Sequence, residues 1–166
     1  MSAERGSSIY AAYVNEQLAA QDSRKSSIEQ RGIAVITTSG TLVSLLFGLV
    51  AVLTAADDYQ LPGEAKPWLY VALVAFVVAA IAGIVTNAPL FYAGVKTADL
   101  EMAVKSLWSD SPTDAERRIT ATNVKLLATA KKRNTFKGFV LVGAISFQLV
   151  AVAALALAIR VVMSSG

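Results

Sequence analysis

The sequence predicts an all-α integral membrane protein with three transmembrane helices, a cytoplasmic antiparallel helical hairpin and an amphipathic N-terminal helix. Three observations carry this prediction. Apolar residues make up 55% of the 166 positions and charged residues only 16%, against about 25% charged in a soluble domain. The apolar residues gather in three runs that hold no charge at all, 32–56, 67–95 and 138–159. Lysine and arginine are spread unevenly around those runs.

Each run exceeds the roughly 20 residues that a helix rising about 1.5 Å per residue needs to cross about 30 Å of hydrocarbon. Buried helices of soluble domains rarely stay uncharged beyond about 14 residues, and three of them in so short a chain would leave nothing to cover them. The first run ends in the small residues Thr54-Ala55-Ala56, as a cleaved signal does, but 31 residues precede it. It is also about twice the length of a signal-sequence core, so an uncleaved span is predicted. In chain order the predicted segments are a cytoplasmic amphipathic helix (1–31), a first span (32–56), a short external loop (57–66), a second span (67–95), the cytoplasmic hairpin (96–137), a third span (138–162) and an external tail (163–166).

Within the N-terminal segment, Tyr10, Tyr13, Val14, Gln17 and Leu18 form a helical stripe. Ser26 followed by Glu29 reads as a capping box just ahead of the first span. Pro67 suits the start of the second helix, where a missing N–H costs nothing. Trp68 and Tyr70 at one end of that span, Phe91 and Tyr92 at the other, and Phe136 and Phe139 ahead of the third mark the membrane interfaces. Pro89 predicts a kink near the end of the second span, or a freed carbonyl that Thr86 or Asn87 helps satisfy.

In the hairpin, Leu100, Val104 and Leu107 recur at helical spacing and Trp108 extends their face. Ser111-Pro112-Thr113-Asp114 opens the second arm, with Ser111 as N-cap, Pro112 at the first position and Asp114 accepting from free N–H groups. Ile119, Leu126 and Ala130 share a face of that arm, which runs on toward the third span. Of the basic residues, four lie in the N-terminal segment, one in the first loop (Lys66), nine between Lys96 and Lys137, and one near the tail (Arg160). Positive residues stay inside, so the N-terminus and the hairpin are predicted to be cytoplasmic and the C-terminus external.

The absence of cysteine and histidine removes disulfides, thiol nucleophiles, imidazole bases and nearly every transition-metal site. No glycine-rich phosphate loop or nucleophile elbow is present, so no cofactor and no enzymatic activity are predicted. No acid or base lies mid-span, which disfavours pumps, coupled transporters and voltage sensors. The net charge of +3 does not imply nucleic acid.

Candidate functional residues are polar or small. In the first span Thr37, Thr38, Ser39, Thr41 and Ser44 are hydroxyls, and Gly40, Ser44 and Gly48, four apart, form a groove bordered by Thr37, Thr41 and Ser44. Close helix packing uses such residues, and so does a pore lining. The second span repeats the spacing with Ala75, Ala79 and Gly83. Gln148 falls near mid-membrane and must find a partner on another helix, another subunit or a solute path. Lys131, Lys132, Arg133 and Lys137 form a basic cluster that reads as attraction to anionic lipid headgroups, worth about 1 kcal/mol per charge, or as a site for a phosphate-bearing ligand.

The stretch Asp22-Ser23-Arg24-Lys25-Ser26-Ser27-Ile28-Glu29-Gln30-Arg31-Gly32 leads into the Ser/Thr-rich first span. In this layout, over about 35 residues, the chain resembles the transmembrane effectors of bacterial antiphage Pycsar systems and small membrane proteins of actinobacteria. The resemblance implies an oligomer of the bacterial cytoplasmic (inner) membrane whose cytoplasmic part senses a cyclic nucleotide and whose spans then disrupt the membrane. No separate nucleotide-binding module is identifiable in the sequence. The expectation drawn from the residues is a non-enzymatic, self-associating membrane protein whose partners are the bilayer, anionic headgroups and either further copies of itself or a membrane partner protein. The alternatives are a pore-forming or membrane-disrupting effector, and an accessory subunit or adaptor of a larger complex.

Overall fold

The computed structural model describes residues 2–55, 61–89, 97–107 and 110–164. They form four helices: α1 (Ser2–Ala55), α2 (Ala65–Asn87), α3 (Thr97–Ser106) and α4 (Pro112–Ser164), with no strand among the described residues. Three of them, α1, α2 and α4, are long and apolar enough to span a membrane. The expectations for the start of the external loop (57–60), for Phe91, Tyr92 and the second span through Val95, and for Trp108 fall outside the described residues.

The chain divides into two compact units. The first comprises residues 1–27 and 89–136, the second residues 28–88 and 137–166.

In the second unit the buried positions of α1 are Ile28, Gly32, Val35, Ser39 and Leu46, with Leu42 partly buried between the last two. Their spacing alternates four and three, the 3.5-residue repeat that keeps one seam of a helix against a neighbour. On α4 the positions Lys137, Leu141, Ala144, Ala151 and Ala158 follow the same repeat. α2 contributes Ala72, Ala75, Phe76, Ala79 and Gly83. Two clusters result. One joins Leu46, Ala72, Ala75, Phe76, Ala151 and Ala154, and the other Ile28, Val35, Ala79, Leu141 and Ala144.

Alanine and glycine dominate this interior, and Phe76 is its largest fully buried side chain. Many of the large aliphatic and aromatic residues lie outside instead: Leu45 and Phe47 on α1, Val74, Val77 and Ile81 on α2, Phe139, Phe147, Leu149 and Val150 on α4. Burial of apolar surface in water would drive the opposite arrangement. Small residues inside and large ones outside is the pattern of helices that pack by close backbone approach in an apolar medium.

α1 and α2 approach each other closely at two glycines. A Cβ added to Gly83 would lie 2.8 Å from Ile36 Cγ1 and 3.1 Å from the carbonyl oxygen of Gly32. One added to Gly32 would lie 2.6 Å from Asn87 Nδ2 and 3.2 Å from Thr86 Cγ2. Each glycine is therefore opposite the other's helix, and neither position has room for a side chain.

The first unit contains residues 2–27 of α1, all of α3 and residues 112–136 of α4. Polar contacts tie α1 to α4 here. Asn123 Nδ2 donates to Asn15 Oδ1 at 2.9 Å, and the buried Asn134 Nδ2 donates to the Gln21 carbonyl at 2.8 Å and to Gln21 Oε1 at 3.1 Å. Among its described residues no apolar side chain is fully buried, and Ile9, Tyr10, Tyr13, Leu100, Met102, Val104 and Ile119 are each more than half exposed.

Local signals play out unevenly. Ser111 caps α4 as predicted: the Asp114 N–H donates to its Oγ at 3.2 Å, and its hydroxyl donates to Asp114 Oδ2 at 2.7 Å. The carboxylate thus takes the serine hydroxyl rather than a free backbone N–H. The Ser26–Glu29 box caps nothing, because α1 continues unbroken through it. No glycine or proline interrupts residues 7–31, and a cap signal without a breaker does not stop a helix. Pro89 ends α2 rather than kinking it. The pyrrolidine ring excludes its predecessor from the helical region, and Ala88 is accordingly extended at φ −57°, ψ 137°. The carbonyls this leaves at the helix end share the Ala88 N–H, Ile84 at 2.9 Å and Val85 at 3.2 Å.

The two glycines give a test. Gly83→Ala gains about 1 kcal/mol of helix propensity but meets the Gly32 carbonyl, a group that cannot move aside, and overpacking of that kind costs about 1–3 kcal/mol. The expected result is a lower unfolding midpoint in detergent, followed by circular dichroism. Gly143→Ala, where no atom lies within 4 Å of the added Cβ, leaves the midpoint unchanged or raises it.

Candidate functional site

The small residues singled out in the sequence separate onto two faces. Ala75, Ala79 and Gly83 are buried and form the α2 side of the helix core. Gly40 and Gly48 are exposed, and an added Cβ at either meets nothing within 4 Å. Thr37, Thr41 and Ser44 are exposed beside them. Two of these hydroxyls are satisfied by their own helix: Thr41 donates to the Thr37 carbonyl and Ser44 to the Gly40 carbonyl, each at 3.0 Å. The row is thus a smooth outer face of α1 with a polar edge, turned away from the chain's own core.

Ser39, in the same polar stretch, behaves differently. It is 1% exposed on the inner seam of α1, and its hydroxyl has no hydrogen-bond partner. A serine commonly donates to the carbonyl four residues back, as Ser146 does to Val142 at 2.9 Å.

Gln148 is half-buried on the α4 seam, in register with Leu141, Ala144 and Ala151. It lines an open groove between α1 and α4 of about 440 Å³, opposite Arg31, Thr38 and Leu42. The groove does not include the Gly40–Gly48 face, so the structure brings Gln148 to Thr38 and not to the glycine row.

The basic cluster divides. Lys131 and Lys132 are exposed and Arg133 half-buried, all three in the first unit. Lys137 belongs to the second unit and turns inward, where its Nζ donates to Glu29 Oε1 at 2.7 Å with its side chain only 5% exposed. Glu29, Gly32 and Asn134 were not singled out as packing partners in the sequence. Their contacts pair residues more than 50 positions apart, so the one local signal was the seam spacing of Ile28, Gly32, Val35 and Ser39. The first unit also has a polar groove of about 590 Å³, where Asn15 and Asn123 face Thr113 and Glu116. Among the described residues no group of acids could hold a metal ion.

Comparison with family models, with curated proteins and with solved structures finds no match to this chain.

The Glu29–Lys137 pair is asymmetric, and so are its expected mutants. Removing the acid strands a buried ammonium, which costs about 2–4 kcal/mol. Removing the lysine leaves a carboxylate that water still reaches and costs about 1 kcal/mol. Unfolding titrations in mixed micelles should give Glu29→Gln as the worse single variant. The double variant with Lys137→Met should recover most of the loss; additive losses would mean that the pair is not coupled.

Proposed function

We infer that the chain is a non-enzymatic, multi-pass protein of the bacterial cytoplasmic membrane that associates with copies of itself. In this reading residues from Gly32, Pro67 and Gly138 onward cross the bilayer. The N-terminus and the hairpin formed by α3 and the start of α4 lie in the cytoplasm, and the C-terminus lies outside. The inverted distribution of small and large apolar residues in the second unit supports the spanning arrangement, and the excess of lysine and arginine before Gly32 and between Lys96 and Lys137 supports the orientation.

One observation carries the self-association. The chain packs α1 on α2 through glycine and alanine, and a second row of small residues, Gly40, Ser44 and Gly48, lies exposed on the opposite side of α1 with no described residue within 4 Å of a Cβ added at either glycine. Helices in hydrocarbon gain little by burying leucine but gain by close approach, which such a row permits. The first unit favours the same conclusion. With no described apolar side chain buried and two tyrosines among its exposed residues, its helices form an interaction surface that another molecule would stabilise in water.

A second reading, the membrane-disrupting effector of the Pycsar type, draws support from the hydroxyls of Thr37, Thr41 and Ser44 along that exposed face. In a ring of copies the face would line an axis, with ion leakage on overexpression as its signature.

Mass measurement of the purified chain in a mild detergent or nanodisc tests the reading. A defined homo-oligomer is expected, and replacing Gly40, Ser44 and Gly48 with leucine should reduce it to single chains. A wild-type monomer would instead indicate an adaptor that lacks its partner.

A further inference from the structure

The groove between α1 and α4 has features that neither core packing nor self-association through α1 uses. Its walls are aliphatic, formed by Leu42, Ile145, Leu149 and Val152, and three polar side chains, Arg31, Thr38 and Gln148, interrupt them. Several other polar groups of the second unit find partners: Thr41, Ser44 and Ser146 donate to their own helices, and Glu29 is taken by Lys137. Arg31, Thr38 and Gln148 make no hydrogen bond or ion pair with any described residue. A polar side chain that faces hydrocarbon without a partner is costly, so a ligand that satisfies these groups would be held there.

The chemistry of that occupant follows from the lining. Arg31 is the groove's one charged residue, and a guanidinium suits a phosphate, which it can grip through two parallel N–H bonds. Thr38 and Gln148 supply donors beyond it. Seven residues separate Arg31 from Thr38, about 10 Å along the helix. The headgroup layer on each side of the hydrocarbon is about 5–7 Å thick. With Arg31 among the headgroups, Thr38 falls just beneath them, at the depth of the glycerol esters.

We propose that this groove binds one anionic phospholipid per chain. The phosphate pairs with Arg31, an ester carbonyl accepts from the Thr38 hydroxyl, and an acyl chain runs down along Leu42, Leu149 and Val152 over Gln148. The site rests on the spanning reading above but not on self-association.

Native mass spectrometry of the detergent-extracted chain, given equal amounts of phosphatidylglycerol and phosphatidylcholine with identical acyl chains, tests this. One tightly held lipid per chain is expected. Phosphatidylglycerol should be preferred about fivefold, which corresponds to about 1 kcal/mol for one basic residue. Arg31→Gln should bring the preference close to one, Arg31→Lys should keep most of it, and Thr38→Val should weaken retention of both lipids alike. Lys131→Gln with Lys132→Gln should change nothing. An unchanged preference in Arg31→Gln, or its loss in the Lys131/Lys132 variant, would overturn the site. The chain has no cysteine, so Leu149→Cys reports on one position only. A disulfide between two chains at Cys-substituted position 149 in nanodiscs would show a second copy in the groove and also overturn the proposal. Failure of self-association would lower the particle mass and leave the lipid preference intact, whereas a chain that needs no detergent would overturn both.

Discussion

The approach of α1 to α2 at Gly32 and Gly83 sets the spacing of the second unit. With the Gly32 carbonyl oxygen 3.1 Å from where a Gly83 Cβ would stand, inside ordinary van der Waals contact, the two backbones are held too close for large side chains between them. The neighbouring seam positions are correspondingly small: Ala75 and Ala79 on α2, Ala144 and Ala151 on α4. Phe76 is the exception, and it fills the space beside Leu46, Ala151 and Ala154. Ile28, Val35, Leu46 and Leu141 also enter the interior, but with alanine and glycine filling most of it many of the other large apolar residues of the same helices face outward. The packing constraint and the preference for a hydrocarbon solvent are therefore one property.

An apolar outer surface of this kind also bears on how polar groups are handled. The exposed hydroxyls of Thr41, Ser44 and Ser146 donate to their own helix carbonyls, and the amide of Asn87 and the hydroxyl of Thr86 do the same at the end of α2. Lys137 is buried with Glu29 as its counter-ion. Such a pair contributes little net stability, since desolvation offsets most of the attraction, but it penalises any arrangement that separates its members. It thus fixes the register of α1 against α4 in the second unit more than it strengthens it. The groups without partners stand out against this background: Ser39 inside the core, and Arg31, Thr38 and Gln148 in the groove.

Much of the helical architecture was legible because charge-free runs and the start of α4 are local properties. The Ser111–Asp114 cap needs only four neighbouring residues. What could not be read was which of several equivalent small-residue rows is used inside the chain. Gly40–Ser44–Gly48 and Ala75–Ala79–Gly83 have the same spacing, and nothing local says that one is buried and the other exposed. The 3.5-residue seam from Ile28 to Leu46 carried that information, spread over many residues. Glu29 shows the reverse error. It fits a capping box with Ser26, but its partner is Lys137, 108 positions away, and no local pattern reveals that.

The account depends on α1, α2 and α4 crossing a bilayer in alternating directions. The absence of cysteine makes the direct test clean: single cysteines at the exposed positions Ala12, Gly63, Lys132 and Ser164, labelled in intact cells with a membrane-impermeant maleimide. The account predicts labelling at positions 63 and 164, and labelling at 12 and 132 only after the membrane is opened. Labelling of all four in intact cells, or labelling at 12 and 132 alone, would contradict it.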